Sequence, residues 1–170
     1  MKKIIIIGFA ACYKSTAGKQ LAEKLGYNFV DTDVEIECAS GMSIRQIFDA
    51  SGEAYFRKLE SELLRSLKTR TDTVVSCGGG SILADDFDEF AQDSVVVWLT
   101  ASAETVHARL GDSPRPLFDG QSVKQLSEYI QSRADLYKKY AQVEISTDGK
   151  TFEQVVQQMY TWLYAQNYIN

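Results

Sequence analysis

The chain has 170 residues, 45% of them hydrophobic and 24% charged, as is typical of one globular domain with a sizeable buried core. A net charge of −5 without a basic stripe argues against a nucleic-acid partner, although local arginines would still accept a small anionic ligand. One histidine and an odd number of cysteines argue against a zinc site and favour a reducing compartment, which we take to be the cytoplasm.

The N-terminus predicts a first strand rather than a targeting segment. Two lysines precede an apolar run of four isoleucines that ends at Gly8. A signal peptide needs roughly 7–15 apolar residues and a cleavage site. Further along the chain no run approaches the roughly 18 residues of a membrane span, so we expect no membrane association.

Short apolar, β-branched runs alternate with helical patterns along the chain. The predicted strands are residues 2–8, 28–33, 72–78, 93–100 and 141–147, and the predicted helices are residues 14–25, 33–40, 43–50, 53–69, 84–91, 102–110, 122–140 and 151–165. The first, third and fourth strands are almost continuously apolar, which is typical of strands covered on both faces. The alternation therefore predicts an α/β sandwich with a parallel sheet, as a single domain over residues 1–170.

Residues 111–122 do not fit this alternation. The segment GDSPRPLFDGQS is polar, holds both prolines and joins two predicted helices. A loop of this length in a compact domain is usually functional, often a lid, although a plain solvent loop is the alternative.

Residues 8–15, GFAACYKS, have the strand–turn–helix context of a phosphate-binding loop. Backbone N–H groups at the start of the helix would bind anionic oxygens. Lys14 would reach the β- and γ-phosphates, the Ser15 hydroxyl would bind Mg²⁺, and Thr16 would lie near the α- and β-phosphates.

Tyr13 occupies the position where such a loop usually has its second glycine. A left-handed backbone at a non-glycine residue costs about 1–2 kcal/mol, and a phenol turned into the phosphate cavity would block it. Ala11 raises a milder form of the same problem. The loop alone leaves nucleotide binding undecided.

Polar and glycine residues follow the second and third predicted strands. Asp31 and Asp33 would share one strand face at the carboxyl end of the sheet, where they could hold a metal's water shell and accept a proton; capping of the next helix is the alternative. Arg57 can pair with Glu60 three residues on and still bind a carboxylate. The glycines 78–80 suggest close approach of a ligand or another backbone segment, or else a plain turn.

The order of these motifs resembles the shikimate kinase family over nearly the whole chain. The matching segments are IIIIGF, KSTAGKQLAEKLGYNFVDTDVEIE, GMSIRQIFDASGEAYFRKLE, VVSCGGGSIL, RPLF and SRADLYKKYA. The resemblance implies a P-loop kinase fold, an α/β three-layer sandwich around a parallel five-stranded sheet with a lid at about residues 111–122. It also implies ATP-dependent phosphorylation of the shikimate 3-hydroxyl in chorismate and aromatic amino-acid biosynthesis, with Mg²⁺, by a monomer.

The resemblance also assigns residue roles. Asp33 would bind shikimate hydroxyls and act as general base, Asp31 would hold Mg²⁺ through water, and Glu60 would orient Arg57. The carboxylate would lie between Arg57 and Arg133, with the Gly79 N–H on the substrate. Two further arginines have roles: Arg115 would close with the lid onto the transferring phosphoryl group, and Arg109 would lie over the adenine. Three apolar residues would line the substrate pocket: Ile44, Phe48 and Phe56.

The family's loop pattern, G-x-x-G-x-G-K-[ST], places glycines where this chain has Ala11 and Tyr13. The ATP-binding positions carried over are Gly8, Ala11, Cys12, Tyr13, Lys14, Ser15 and Thr16. Cys12 is at a variable position and is interpreted as a small filler, and Cys38, Cys77 and His107 are interpreted as structural.

Three functions therefore remain open. The first is a working shikimate kinase whose loop tolerates Tyr13. The second is a homologue that binds shikimate but does not use ATP productively. The third is a kinase for another hydroxylated acid or sugar such as gluconate, against which Arg57, Arg133 and the glycine triplet argue.

Overall fold

The computed structural model describes residues 2–111 and 120–169. Within these ranges the chain forms a five-stranded parallel sheet and seven α-helices. The strands are β1 (Ile4–Ile7), β2 (Asn28–Asp31), β3 (Thr73–Ser76), β4 (Val95–Thr100) and β5 (Val143–Ser146). The helices are α1 (Lys14–Leu25), α2 (Thr32–Ser40), α3 (Ile44–Leu67), α4 (Phe87–Ala91), α5 (Ala103–Gly111), α6 (Val123–Tyr140) and α7 (Phe152–Ala165), and a short 3-10 turn spans Ser81–Leu83.

The strands lie in the order β2-β3-β1-β4-β5, and all neighbours run parallel. The central strand β1 pairs with both β3 and β4, so that Ile5 is opposite Val75 on one side and Val96 on the other. The predicted parallel five-stranded sheet is confirmed, and the strands are shorter than predicted by up to two residues at an end.

Alternate residues of β1 enter two separate cores, which is how a strand covered on both faces behaves. Ile4 and Ile6 pack in a cluster with residues of α1, α5 and α7, whereas Ile5 and Ile7 pack with residues of α3, α4 and α6. All four isoleucines are at most 1% exposed. The molecule therefore has three layers, as predicted.

The two helices predicted at residues 43–50 and 53–69 follow each other directly within α3 and are separated by a kink. Gly52 has φ 78° and ψ 174°, outside helical values, at the point between the two predicted segments. The start of α3 is fixed by Ser43 and Gln46, which form a reciprocal capping box. The predicted helix at residues 84–91 is shorter and begins at Phe87.

Within the described ranges, every helix is too short or too polar to span a bilayer. The eight residues 112–119, which contain most of the predicted lid, lie outside the described part of the chain.

Candidate active site

A cleft of about 670 Å³ opens at the carboxyl ends of β1, β2 and β3. Its wall is formed by the turn after β1, the start of α1, the acidic residues after β2, the glycines after β3, and side chains of α3 and α6. The structure brings the following predicted site residues into this one cleft: Lys14, Ser15, Asp31, Asp33, Arg57, Gly79 and Arg133. The three apolar residues predicted to line a substrate pocket, Ile44, Phe48 and Phe56, are also in the wall.

The phosphate loop connects β1 to α1, so its backbone leads directly into a helix N-terminus. Such an end presents unpaired N–H groups and a partial positive charge, and it binds anions. Lys14 begins α1, and its ammonium donates a hydrogen bond of 2.7 Å to the carbonyl oxygen of Phe9. Ser15 and Thr16 are both exposed, and of the two Ser15 lines the cleft. The Lys14 side chain is therefore held against the backbone of its own loop.

The two residues that replace the expected loop glycines both have a left-handed backbone. The φ angle is 59° at Ala11 and 63° at Tyr13. Tyr13 is the residue immediately before α1, and its side chain forms no capping hydrogen bond with that helix. Each such conformation costs roughly 1–2 kcal/mol for a residue with a Cβ. The sequence therefore identified the strained positions, and this conformation must be stabilised by other contacts.

The phenol of Tyr13 points away from the cleft. Its ring packs edge-on against Phe152 at the start of α7, with 6.3 Å between ring centres and 77° between planes. The Arg109 guanidinium lies over the Tyr13 ring, 3.9 Å from the ring centre. The side chain of Tyr13 thus leaves open the space that the sequence suggested it could block.

The two aspartates occupy different elements, so the prediction that they share one strand face is wrong. Asp31 ends β2 and caps α2, because its Oδ1 accepts hydrogen bonds from the N–H groups of Asp33 (3.1 Å) and Val34 (3.4 Å). Asp33 lies in the first turn of α2. Both still line the cleft, since the strand end and the helix start meet at the same edge.

Arg57 is held at the cleft by two carboxylates. Its Nη1 donates to Oε2 of Glu60 over 2.7 Å, and its Nη2 donates to Oε1 of Glu53 over 3.0 Å. Glu60 is 1% exposed, and its other oxygen accepts a 2.6 Å hydrogen bond from the Ser81 hydroxyl. Partial burial opposes the charge of Arg57, but Glu60 and then Glu53 outweigh it and raise the pKa of Arg57. The guanidinium therefore stays charged, and the two carboxylates fix its position at the cleft.

Two of the three glycines after β3 make room for these charged groups. A Cβ at Gly78 would lie 2.5 Å from Oδ1 of Asp33, and a Cβ at Gly80 would lie 2.6 Å from Nη1 of Arg57. Distances under 3.0 Å force one of the groups to move. Gly78 and Gly80 therefore make room for charged side chains, rather than for the ligand or backbone segment that the sequence suggested.

Arg133 on α6 is positioned by two tyrosines that the sequence analysis did not single out. Its Nη1 donates to the Gly79 carbonyl oxygen over 2.9 Å, and its guanidinium lies 4.5 Å from the ring centre of Tyr129. The Tyr137 hydroxyl donates to the same carbonyl over 2.6 Å. Burial raises the pKa of Tyr137 well above its ordinary value, so this donor stays protonated. Both tyrosines are four residues from Arg133, and that helical spacing is a signal that could have identified them.

The remaining predicted positions lie elsewhere. Cys12 and Cys77 are buried, and burial raises the pKa of both thiols, which fits filler and core residues. Cys38 and His107 are exposed and so do not contribute to the core. Arg115 lies outside the described residues.

Comparison with known proteins agrees with this geometry. The family model for shikimate kinase matches residues 10–164. The shikimate kinase of Persephonella marina is 39% identical over 161 residues, which cover 94% of this chain and 97% of that protein. The shikimate kinase of Gloeobacter violaceus is 42% identical over 149 residues, which cover 86% and 84%.

Solved structures give the same result. A shikimate kinase from Acinetobacter baumannii, in complex with shikimate, superposes with a TM-score of 0.90 at 31% identity and covers 98% of this chain and 94% of its own. The enzyme from Aquifex aeolicus has a TM-score of 0.83 at 32% identity and covers 97% and 98%. A gluconokinase from Sinorhizobium meliloti has a TM-score of 0.57 at 17% identity, a likeness of fold alone. With its sheet order, its phosphate loop and its cleft of paired acids and arginines, this chain belongs to the shikimate kinase family.

Proposed function

We propose that this chain transfers the γ-phosphoryl group of ATP to the 3-hydroxyl of shikimate. The observation that carries the proposal is the convergence of the phosphate loop with Asp33, Arg57 and Arg133 in one cleft. Phosphoryl transfer needs in-line positioning and neutralisation of charge more than covalent help. The cationic and anionic side chains that line this cleft can supply both the positioning and the neutralisation of charge.

The acceptor half of the site is the part formed by α2, α3, the glycine turn and α6. Shikimate is a ring carboxylate with three hydroxyls, so it needs cations at one end and hydrogen-bond acceptors at the other. Arg57 and Arg133 bind its carboxylate, and the Gly79 N–H contributes a donor. Asp33 accepts hydroxyl hydrogen bonds and takes the proton of the attacking oxygen as general base. Glu60 supports this arrangement through its hydrogen bond with Arg57.

The donor half is the loop and the first turn of α1. Its backbone N–H groups and Lys14 hold the β- and γ-phosphates, with Thr16 near the α-phosphate and Arg109 beside the base. Ser15 and Asp31 are oxygen donors on the same cleft, and the Oδ2 atom of Asp31 is not used by the helix cap. They suit Mg²⁺, which is usually bound by one or two protein oxygens together with phosphates and water. When bound, Mg²⁺ neutralises phosphate charge.

We extend the proposal to Arg115 and to the setting of the protein. Arg115 belongs to a lid at about residues 111–122 that closes over the phosphates, a role inferred from the family resemblance. The chain is a single domain over residues 1–170 that acts as a monomer in the cytoplasm. The three cysteines are free thiols, which suits a reducing compartment.

Two other functions deserve a direct test. The left-handed backbone at Ala11 and Tyr13 favours a homologue that binds shikimate without using ATP productively. A kinase for gluconate or a related compound is less well supported, because the paired arginines suit a ring carboxylate.

The experiment is ATP-dependent release of ADP with Mg²⁺ and shikimate, and with gluconate and quinate as alternative acceptors. The matched variants are Ala11→Gly/Tyr13→Gly, which restores the glycines, and Asp33→Asn, which removes the base. We expect turnover with shikimate by the wild-type chain and a loss of about 10²–10⁴-fold in Asp33→Asn. Activity confined to the double glycine variant would identify an impaired homologue, and a preference for gluconate would identify the third function.

A further inference from the structure

Tyr13 and Arg109 form a contact that joins the phosphate loop to α5. The guanidinium carbon of Arg109 lies 3.9 Å from the Tyr13 ring centre, which is close for a cation–π pair. Phe152 meets the same ring edge-on from α7. All three side chains are half-buried, so these contacts are partly shielded from water. The ring is therefore anchored by two elements that are distant in sequence.

The same guanidinium also fixes the backbone of the loop. Nη1 of Arg109 donates to the Ala11 carbonyl oxygen and to Oγ1 of Thr147, each over 2.9 Å, and Nη2 donates to the Thr147 carbonyl oxygen over 2.9 Å. Thr147 is fully buried and donates through Oγ1 to the carbonyl oxygen of Thr100 at the end of β4. The Arg109 side chain thus contacts Ala11 and Tyr13, the two loop residues with a left-handed backbone, and links them to the sheet.

We propose that Tyr13 is a positioning residue for the nucleotide, acting through Arg109 to hold the phosphate loop in its anion-binding conformation. The inference rests on the proposed function, since it requires that the loop bind the phosphates of ATP. A glycine loop must lose backbone freedom when it closes around phosphate, whereas an anchored tyrosine restricts the loop beforehand. Tyr13 therefore supports nucleotide binding, although its backbone conformation is strained.

The opposite effect is the competing outcome. If the ring instead occupies the surface of Arg109 on which the base would stack, Tyr13 hinders ATP and its removal improves binding. Both effects would change the binding of the nucleotide and leave the binding of shikimate unchanged. The sign of the change therefore decides between them.

The test is a series at position 13 read by two independent measurements. Calorimetry gives the dissociation constant for Mg–ADP, and steady-state kinetics give kcat and the KM values for ATP and shikimate. We expect Tyr13→Phe to match the wild type within about twofold, because the ring face is retained. We expect Tyr13→Gly to weaken Mg–ADP binding and raise the KM for ATP about tenfold, with the KM for shikimate unchanged.

Two further variants separate positioning from folding. Tyr13→Leu keeps an apolar side chain and the strained backbone but has no ring face, so it should resemble Tyr13→Gly in nucleotide affinity while thermal unfolding stays near that of the wild type. Arg109→Met should weaken Mg–ADP binding less in the Tyr13→Gly background than in the wild type, because contacting residues are not additive.

Three results would overturn the proposal: tighter or equal Mg–ADP binding in Tyr13→Gly, a Tyr13→Phe variant as weak as Tyr13→Gly, or additive effects of the Tyr13 and Arg109 changes. If the wild type phosphorylates shikimate while Tyr13→Gly binds nucleotide equally well, this inference fails and the proposed function stands. If the wild type neither binds Mg–ADP nor turns over, both fail.

Discussion

Nη1 of Arg57 lies 2.7 Å from a carboxylate oxygen of Glu60, a residue that is 1% exposed. Glu60→Gln removes the charge and one of the two acceptor oxygens, so it should hold the guanidinium less firmly and raise the KM for shikimate about tenfold, with the KM for ATP unchanged. Stability should fall by about 2 kcal/mol, less than for a fully buried pair because Arg57 reaches solvent. Kinetics and urea unfolding measure the two effects.

Glu53→Gln is the matched control for this change. Glu53 also accepts a hydrogen bond from Arg57, but its side chain is 65% exposed. Exposed ion pairs contribute about 0–1 kcal/mol, so the KM for shikimate should change by less than about threefold. Equal effects of the two substitutions would mean that burial of Glu60 is not what fixes Arg57.

Asp31 combines a helix cap with a proposed water-mediated contact to Mg²⁺, and two substitutions separate these roles. Asn retains the capping oxygen, whereas Ala loses it and should cost about 1 kcal/mol in unfolding free energy. Both remove the negative charge and should raise the Mg²⁺ concentration for half-maximal turnover about tenfold. A normal Mg²⁺ requirement in Asp31→Asn would restrict Asp31 to the cap.

The first and third glycines after β3 should affect different kinetic constants. In Gly78→Ala the new methyl group displaces Asp33, so we expect the main loss in kcat. In Gly80→Ala it displaces the Arg57 guanidinium, so we expect the main change in the KM for shikimate. Each loss should be on the order of tenfold or more, since small displacements of reacting groups are costly. The same kinetic pattern in both variants would contradict this division.

Because Lys3 is buried, we predict that the stability of the protein depends on pH in the alkaline range. It is 3% exposed, donates to the carbonyl oxygens of Leu67 and Lys68, and lies 4.0 Å from the ring centre of Phe90. Burial lowers the pKa of Lys3 to about 8, whereas the unfolded chain keeps the ordinary value near 10.5. Between these values the unfolded state binds more protons, so the contribution of Lys3 to stability increases with pH by up to about 3 kcal/mol.

The comparison with Lys3→Met isolates this effect. Burial raises the pKa of Cys77, so its contribution is lost above the thiol's ordinary pKa of about 9 and opposes that of Lys3. Because Cys77 also acts electrostatically on Lys3, both proteins are compared in a Cys77→Ala background, where the thiol cannot titrate. Urea unfolding between pH 7 and 10 should show a stability difference that grows above pH 8. A constant difference would mean that Lys3 stays protonated in the folded protein.

The sheet and most of the cleft could be predicted because their signals are local. Runs such as residues 4–7 and 95–100 are apolar enough to identify buried strands, and the parallel order then brings their carboxyl ends together. Asp31 is the last residue of β2, Gly79 comes three residues after β3, and Ser15 lies in the first turn of the helix that follows β1. Their presence at one edge is therefore a consequence of topology.

Two features could not be predicted because they depend on distant contacts or on competition at a boundary. The direction of the Tyr13 side chain is set by Arg109 and Phe152, which are 96 and 139 residues further along the chain. The place of Asp33 depends on where β2 ends. Asp31 can extend the strand or cap a helix, and its two hydrogen bonds to backbone N–H groups favour the cap.

The position of β3 between β1 and β2 has a consequence for how such a protein can diverge. Neighbouring strands are about 4.8 Å apart, so the sheet itself holds the ends of β1 and β2 roughly 10 Å from each other. The glycines after β3 occupy the space between them without side chains. Replacement of loop glycines, as at Ala11 and Tyr13, therefore leaves the spacing of these strand ends unchanged, so that the proposed donor and acceptor halves can vary separately.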